Sequence, residues 1–321
     1  MPQNIDPRLL RAFTAVAEEL HFTRAAARLY VAQQALSRDI RRLERELGAE
    51  LFIRSTRQVA LSADGERLLP YARRTLAAHD ELTAAFAQVE RPLLVDIGAP
   101  VGTGHQVLME TRKAAPALEF VARYVSGLTG AAAEILAGRL DVSFGRVAGL
   151  DPAVLAGLAH QPVRYERMAV LLPDDHSLAA REEVPLDALA GETLYTGAGN
   201  PATAEWTDLA SRLFEGRGIE AAAPFPEIAG KEEFVRVVRK QGWSVLASTE
   251  FIEVPEMVVR PLVDPVPLSP VSLVWRKGVN HPGVDALRAT AARLSTAERW
   301  LDMPADHWLP PGDYVLTVNN C

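Results

Sequence analysis

Apolar residues near the start of the chain recur with helical spacing and predict three short helices. The first begins at about Pro7, and the second begins at Thr23, whose side chain can cap it. The third begins at Gln33 and ends at Gly48, where a left-handed residue suits a helix C-terminus. The predicted buried faces contain Leu9, Leu10, Phe13, Val16, Ala17 and Leu20 in the first helix, Ala25, Ala26 and Leu29 in the second, and Leu36, Ile40, Leu43 and Leu47 in the third.

The opposite face of the third helix is polar, and its polar residues cluster in the N-terminal half. They are Gln33, Gln34, Ser37, Arg38 and Arg41. In a helix-turn-helix, the N-terminal residues of the second helix reach the edges of the bases. Arginine can bond both acceptors of guanine and glutamine both groups of adenine, so these residue types can read a DNA sequence. The alternative is an amphipathic surface helix whose basic face is merely solvated.

Two short apolar runs follow, at residues 51–54 and 57–61, and they predict a small hairpin, or wing. Ser55 and Thr56 form its expected tip. Arg54 and Arg57 flank that tip, where they could reach phosphates or a minor groove.

A long helix is predicted after the wing, from a cap at Ser62 to about Glu90, before Pro92. Roughly 28 residues would form a rod of about 40 Å. Such a rod is too exposed to be stable alone, so it is expected to pack on a partner helix. Packing against the body of its own chain is the alternative. Its apolar positions are Leu69, Ala72, Leu76, Leu82, Phe86 and Val89.

From Leu93 onwards strands alternate with helices, which predicts an α/β region with parallel strands. The predicted strands include residues 93–99, 118–125, 138–145, 168–173 and 271–276. One predicted helix follows the first strand and ends near Ala115. Further helices are predicted at 131–137 and near 200–216, 231–241 and 283–295. No regular element is expected in the tail from Ala297, because Pro310 and Pro311 disfavour one.

A small-molecule site is predicted where two strands turn into helices, at Gly102-Thr103-Gly104 and at Gly127-Leu128-Thr129. Ligands settle at the carboxyl ends of such strands, and the free N–H groups of a helix N-terminus favour anions. The alternative is that Thr103 and Thr129 only cap their helices. Arg146 follows the third strand and could add a cation, or could form an ion pair with Asp151 or a nearby glutamate. Thr196 is the candidate from the second half of the region.

Residues 7–62 resemble the winged helix-turn-helix of LysR-type transcriptional regulators. The chain departs from the family pattern at Gln34, where many members have proline. This departure concerns base preference rather than fold. The matching residues are Leu10, Phe13, Val16, Ala17 and Glu18, then Phe22-Thr23-Arg24-Ala25-Ala26, Ala32-Gln33-Gln34-Ala35-Leu36-Ser37, Ile40-Arg41-Arg42-Leu43-Glu44, Leu47-Gly48, Leu51-Phe52 and Arg54.

The resemblance continues to about residue 296, through Gly138-Arg139-Leu140-Asp141 and the run 168–178. It implies an N-terminal all-α winged helix-turn-helix, a long linker helix and two Rossmann-like α/β subdomains resembling periplasmic binding proteins. In the family the linker helix pairs with that of a second subunit, and Arg146 resembles an arginine of members that sense aromatic-derived acids. The expected boundaries are 1–62 for the DNA-binding domain, 63–90 for the linker, 91–163 with 267–296 and 164–266 for the two regulatory subdomains, and 297–321 for the tail.

Charge is divided unevenly along the chain. Residues 1–62 contain 10 arginines and 7 acidic residues, a net +3, whereas the whole chain carries −7, so the remainder carries −10. A basic head on an acidic body suits docking on DNA at one end, although composition alone also allows an acidic enzyme. No apolar run at the N-terminus indicates a leader or a membrane span. Cys321 is the only cysteine, which excludes a disulfide within the chain and fits the cytoplasm.

The usual signatures of enzymes are missing from the sequence. Gly98, Gly102 and Gly104 do not form a G-x-G-x-x-G fingerprint, and no P-loop or G-x-S-x-G elbow occurs. The seven histidines are scattered, so no zinc site is expected. No catalytic residue, metal or cofactor is therefore predicted.

We predict a cytoplasmic LysR-type regulator that binds double-stranded DNA as a dimer or tetramer and responds to a small-molecule effector, with no membrane contact. The effector is predicted to be an organic acid. Two alternatives stay open, a ligand-independent architectural DNA binder and a solute-binding component of a transporter. The predicted DNA-binding residues are Thr23, Gln33, Gln34, Ser37, Arg38, Arg41, Arg54 and Arg57, and the predicted effector-binding residues are Gly102, Thr103, Leu128, Thr129, Arg146 and Thr196.

Overall fold

The structure, a computed structural model, describes residues 5–54, 59–86, 91–125, 127–228 and 230–318 of the 321-residue chain. The chain divides into two compact units, Met1–Arg91 and Pro92–Cys321.

The first unit contains the predicted helices and wing. Its core joins all of its elements, with Phe13, Val16, Ile40 and Leu43 almost completely buried. Residues 55–58, which include the predicted wing tip at Ser55 and Thr56, and residues 87–90 at the predicted end of the linker helix lie outside the described residues. The elements are α1 (Pro7–Glu19), α2 (Phe22–Arg28), α3 (Gln33–Leu47), the antiparallel strands β1 (Phe52–Arg54) and β2 (Val59–Leu61), and α4 (Ala63–Phe86).

Capping explains where these helices begin and end. The carboxylate of Asp6 accepts a hydrogen bond from the N–H of Arg8, and Pro7 occupies the first turn of α1. Gly48 ends α3 with φ of +66°, as predicted. The predicted cap at Thr23 is wrong. The ring of His21 caps α2 instead, because its Nδ1 lies 3.2 Å from the Thr23 nitrogen, and Thr23 falls within the first turn.

The linker helix α4 begins at the predicted cap, since the Ser62 hydroxyl accepts a hydrogen bond from the Gly65 nitrogen at 3.0 Å. Its first half packs on the core of its own unit, with Ala72 buried and Leu69 and Leu76 partly buried there. Leu82, further along, is 60% exposed. The alternative of packing on its own unit therefore accounts for the first half of the apolar stripe.

The second unit is an α/β body with a mixed sheet. Its helices are α5 (Gly102–Ala114), α6 (Leu128–Leu136), α7 (Pro152–Leu155), α8 (Ala204–Phe214), α9 (Lys231–Gln241), α10 (Pro282–Ala297) and α11 (Pro311–Val318). Its strands are β3 (Leu93–Asp96), β4 (Phe120–Arg123), β5 (Val142–Gly145), β6 (Leu158–Pro173), β7 (Val184–Pro185), β8 (Thr193–Tyr195), β9 (Glu220–Ala221), β10 (Ser244–Ser248), β11 (Met257–Val263), β12 (Val266–Arg276) and β13 (His307–Trp308).

Two parallel groups of strands are joined by long antiparallel strands. Strands β4, β3 and β5 form one group, and β10, β8 and β9 form the other. The single strand β6 pairs with β12 through its first part and with β10 and β11 through residues 168–173. We call the half around β3–β5 lobe I and the half around β8–β10 lobe II. The expectation of parallel strands thus holds within each lobe but is wrong for the crossing strands, because the chain returns antiparallel to itself.

The prediction that the tail lacks regular structure is wrong. Pro311 occupies the first turn of α11, a position where its missing N–H is not needed. Strand β13 pairs in parallel with the start of β12, through Val266–His307 and Pro267–Trp308. Trp300 belongs to the core of lobe I, and Trp308 packs against the core of lobe II. The tail is therefore part of the folded body.

Candidate DNA-binding surface and effector-binding cleft

The predicted recognition residues lie together on one open concavity at the N-terminal half of α3. Gln33, Gln34, Arg38 and Arg41 are exposed and Ser37 is half-buried. All five line this concavity, which has a volume of about 560 Å³. The buried face of α3 carries Leu36, Ile40 and Leu43, so packing of the apolar stripe turns the polar residues outward.

The arginines of this surface lack the ion pairs that several other arginines of the unit make within the described residues. Neither Arg38 nor Arg41 makes an ion pair with any residue that the structure describes. By contrast, Arg42 binds Glu46 at 2.7 Å and Arg8 binds Asp39 at 2.9 Å. The guanidinium groups of Arg38 and Arg41 thus keep their donors for an external anion or base edge.

Thr23 connects the two helices of this surface, because its hydroxyl donates to Oε1 of Gln33 at 3.0 Å. The Arg54 side chain and all of Arg57 lie outside the described residues. Sequence reasoning missed Tyr30, which is 97% exposed in the turn between α2 and α3 with φ of +55°. An aromatic residue in a tight helix–helix turn was the available signal.

The N-terminus of α5 already binds a carboxylate of the protein. The backbone nitrogen and the hydroxyl of Thr103 both donate to Oε1 of Glu166, at 3.2 and 2.6 Å. Gly102 precedes it with φ of +80°, and a Cβ there would lie 3.5 Å from the same oxygen. Glu166 is half-buried as a residue, but its carboxyl group is surrounded by protein atoms. Burial of the carboxyl group raises its pKa.

The N-terminus of α6 binds a second internal carboxylate. The nitrogens of Leu128 and Thr129 donate to Glu205 at 2.7 and 3.0 Å, and the Thr129 hydroxyl donates to it at 2.5 Å. Glu205 lies in the first turn of α8 of lobe II and is 5% exposed. This carboxylate therefore joins the two lobes while it satisfies the free N–H groups of the helix.

Arg146 is buried between the lobes and the tail, with all three guanidinium nitrogens engaged. Its Nε and Nη2 donate to Asp313 at 3.0 to 3.1 Å, and its Nη1 donates to Asp208 at 2.7 Å and to the Glu205 carbonyl at 2.9 Å. Asp151, the partner that the sequence suggested, instead caps α7. Burial raises the pKa of Asp313 against the effect of Arg146, whereas hydrogen bonds from Arg146 and Arg212 lower the pKa of Asp208 despite its burial.

The lobes approach each other closely around these contacts. A Cβ on Gly127 would lie 2.2 Å from the Ala202 carbonyl oxygen, and Gly127 has φ of +81°. A Cβ on Gly149 would lie 2.6 Å from Glu205. Only glycine fits at these two positions, which brings α6 and Arg146 of lobe I against α8 of lobe II.

The predicted effector residues are distributed over two carboxylate sites and one separate position. Thr129 and Arg146 both contact Glu205, whereas Thr103 contacts Glu166. Thr196 follows β8 and is 2% exposed. Sequence reasoning missed the carboxylates that fill these sites, which are Glu166, Glu205, Asp208 and Asp313. They lie between 59 and 167 residues from their partners, so no local spacing marks them.

Neither a metal site nor a membrane span is found in the described part of the chain. Within residues 5–54, 59–86, 91–125, 127–228 and 230–318, no cluster of histidine, cysteine, aspartate and glutamate could hold a metal ion. Across the same ranges, no helix combines the length and the apolarity that crossing a bilayer requires.

Comparison with known families gives two matches, one for each unit. Residues 7–66 match the model described as the bacterial regulatory helix-turn-helix protein of the lysR family. Residues 94–295 match the LysR substrate binding domain, so α11 and β13 lie beyond the matched region.

Similar proteins include full-length relatives. The HTH-type transcriptional regulator BenM of Acinetobacter baylyi is 28% identical over 305 residues, 92% of this chain and 98% of that protein. The probable cat1 operon transcriptional activator of Acinetobacter lwoffii is 37% identical over 198 residues, 59% of this chain and 63% of that protein.

A solved structure shows the same fold. A full-length OxyR variant from Pseudomonas aeruginosa superposes with a TM-score of 0.64 at 21% identity, covering 94% of this chain and 99% of that one. The two family matches together span the recognition helix and both lobes, and the chain therefore belongs to the LysR family of bacterial helix-turn-helix transcriptional regulators.

Proposed function

We propose that this regulator reads an operator through the α3 surface and that a small organic acid, bound where the lobes meet, changes its hold on DNA. One observation carries the choice of an acid. Four of the six predicted effector residues, Thr103, Leu128, Thr129 and Arg146, already bind a carboxylate, supplied by Glu166, Glu205, Asp208 or Asp313. Donors arranged for internal carboxylates present the geometry that a free carboxylate needs. A neutral ligand would gain less from them.

Binding at this place would couple to the arrangement of the lobes. Arg146 belongs to lobe I, and its partners Asp208 and the Glu205 carbonyl belong to α8 of lobe II. A ligand that changes these contacts changes the relative free energy of open and closed lobes. This change in the free-energy difference between open and closed lobes is the coupling by which an effector would alter DNA binding.

The finer aspects of this function are also proposals. We propose that the chain acts as a regulator and not as an enzyme, that it works in the cytoplasm where bacterial DNA lies, and that it forms a dimer or tetramer. Leu82 on α4 is a large apolar residue that is 60% exposed, which supports a helix–helix contact with a second subunit.

The DNA-reading role of α3 is tested by replacing an arginine of its exposed face. We expect Arg38→Ala to weaken binding to the specific operator by about 1–3 kcal/mol while changing binding to random DNA much less, because a base contact is lost. Arg42→Ala is the matched control, since Arg42 lies on the same helix but is bound to Glu46. Binding is measured by fluorescence anisotropy over a range of salt concentrations. An equal loss on both DNAs would contradict base reading by Arg38 and would favour an architectural binder.

The effector class is tested by calorimetry with a panel of organic acids and neutral metabolites. We expect an acid to bind most tightly, with Thr129→Val costing about 1 kcal/mol and Arg146→Gln costing more because it removes a charge. Thr207→Val is the control, because the Thr207 hydroxyl bonds to carbonyls of its own helix end. A neutral compound that binds most tightly, with affinity unchanged in Arg146→Gln, would refute the organic-acid proposal.

A further inference from the structure

The C-terminal helix α11 places a carboxylate on Arg146 from beyond the family's substrate-binding domain. That domain ends at residue 295, and α11 begins at Pro311. Asp313 on α11 is 2% exposed and takes Nε and Nη2 of Arg146, which is 5% exposed. This geometry is the fork-to-fork pairing by which arginine recognises carboxylates in general.

Asp313 is the buried side chain of the first turn of α11. Pro311, Gly312 and Tyr314 are exposed, and the Tyr314 hydroxyl bonds to His307 of the same tail. The segment just before α11 is held separately. Strand β13 pairs with β12, and Leu309 packs with the core around β12. Release of α11 from Arg146 would break the bond between Tyr314 and His307 but would leave the pairing of β13 with β12 and the packing of Leu309 in place.

The charges around Arg146 allow a free acid to replace Asp313 but disfavour an acid that binds in addition to Asp313. Arg146 and Arg212 face Asp208 and Asp313, so these four charges cancel, while the buried carboxylate of Glu205 beside them is held by the N-terminus of α6. A free monocarboxylate that replaces Asp313 preserves this balance. One that enters beside Asp313 finds the Arg146 donors taken and adds an uncompensated negative charge in a buried place, which is costly.

We propose that α11 is an internal competitor at the Arg146 site. Asp313 supplies the carboxylate that a small organic acid would otherwise supply, and the acid binds when the tail helix leaves. This inference rests on the proposed function for its ligand class, and it adds that affinity for the acid is set by the tail. By population-shift reasoning, the apparent dissociation constant rises as the fraction of molecules with the tail released falls.

Removal of the internal carboxylate is the direct test. Acetate carries the carboxylate of an aspartate side chain as a free molecule, and benzoate adds an apolar body. We expect full-length Asp313→Ala to bind acetate and benzoate at least roughly tenfold more tightly than the wild type in calorimetry, with chloride at equal ionic strength as the blank. Asp302→Ala is the matched control, because Asp302 lies in the same tail and is paired with the exposed Arg299.

Two further variants keep the test independent of folding defects. Asp313→Asn retains the volume and removes the charge, and it should change affinity in the same direction. Adding Arg146→Gln to Asp313→Ala should abolish the gain, since the acid then lacks its cation. Acid affinities in Asp313→Ala and Asp313→Asn no tighter than the wild-type value would overturn the competition.

Release of the tail has its own readout. Cys321 is the only cysteine of the chain, so one dye can be attached near the end of the tail. Benzoate should lower the fluorescence anisotropy of this dye in the wild type and leave it unchanged in Asp313→Ala. Benzoate binding that Arg146→Gln abolishes but Asp313→Ala leaves unchanged would preserve the effector site and refute the competing role of α11.

Discussion

At the scale of single residues, buried carboxylates of the second unit accept hydrogen bonds from several parts of the chain. Asp96, 2% exposed, accepts hydrogen bonds from the Ser143 hydroxyl and from the nitrogens of Gly98 and Val125. Glu166 receives two hydrogen bonds from Thr103. Burial raises the pKa of both carboxyl groups, because the charged form loses its hydration. These groups are held by hydrogen bonds, yet ionisation of each carboxyl group costs more free energy in the folded than in the unfolded state.

Glu166 gives a pH-dependent prediction with a definite sign. Its folded-state pKa is raised, so the contribution of Glu166 to stability is fully present below the ordinary carboxyl pKa and is lost as the pH rises through the folded-state pKa. Glu166→Gln keeps an acceptor for Thr103 and carries no charge. We expect it to raise stability at pH 7 by on the order of 1 kcal/mol, about 2–4 °C in Tm.

Thermal unfolding over a series of pH values from the ordinary carboxyl pKa upwards checks this expectation. The variant should lose part of the decline in stability that the wild type shows with rising pH. Glu182→Gln is the control, since Glu182 is exposed. A pH slope identical to that of the wild type would show that Glu166 does not titrate in this range.

At the scale of elements, helix α4 has two parts with different surroundings. Ala72 and Leu76 pack on the core of the first unit, together with Leu9 and Phe13. Leu82 lies nearly two turns beyond Leu76 and is 60% exposed. Among the described side chains of the apolar stripe, Leu69, Ala72 and Leu76 are covered within the unit and Leu82 is exposed. This division decides which residue can test self-association.

Leu82→Lys is expected to dissociate the proposed dimer without unfolding the first unit, because it puts a charge on an exposed apolar position. Leu76→Lys is the contrasting variant, and it should lower the stability of the unit by roughly 1–3 kcal/mol, the usual scale for a charge forced into a core. Light scattering reports the mass, and calorimetry reports the stability. A wild-type monomer at micromolar concentration would contradict the dimer.

At the scale of the whole molecule, each unit has a core of its own. Leu43 belongs to the core of the first unit, at residues Met1–Arg91. Leu172 belongs to the core of lobe II in the second unit. Both side chains are fully buried. Separate cores are the physical condition for separate unfolding transitions.

We therefore expect two transitions in scanning calorimetry. Leu43→Ala should lower only one and Leu172→Ala only the other, each by about 2–5 kcal/mol in the unfolding free energy. Operator DNA should raise the transition that Leu43→Ala lowers, because a ligand stabilises the part that binds it. A single transition that both variants shift equally would show that the units unfold together.

The sequence alone predicts the helices of the first unit. Apolar periodicity placed α1, α2 and α3, and Ser62 and Gly48 marked helix ends that the structure retains. It also determined which residues of α3 face outward, because a buried stripe at helical spacing leaves only one opposite face. The family resemblance rested on this same unit and on short runs in the second. These signals are local, since caps and periodicity act within a few turns of the chain.

Which polar and charged side chains contact each other follows only from the tertiary structure. Thr129 meets Glu205 across 76 residues and Arg146 meets Asp313 across 167 residues. A scan of the sequence finds many acidic residues that could serve, and periodicity does not choose between them. The fold selects the acidic partners, because the crossing strands β6 and β12 bring lobe II and the tail against lobe I. The tail shows the same limit, because its prolines predict no regular element, whereas Pro311 lies at a helix start, where its ring fits.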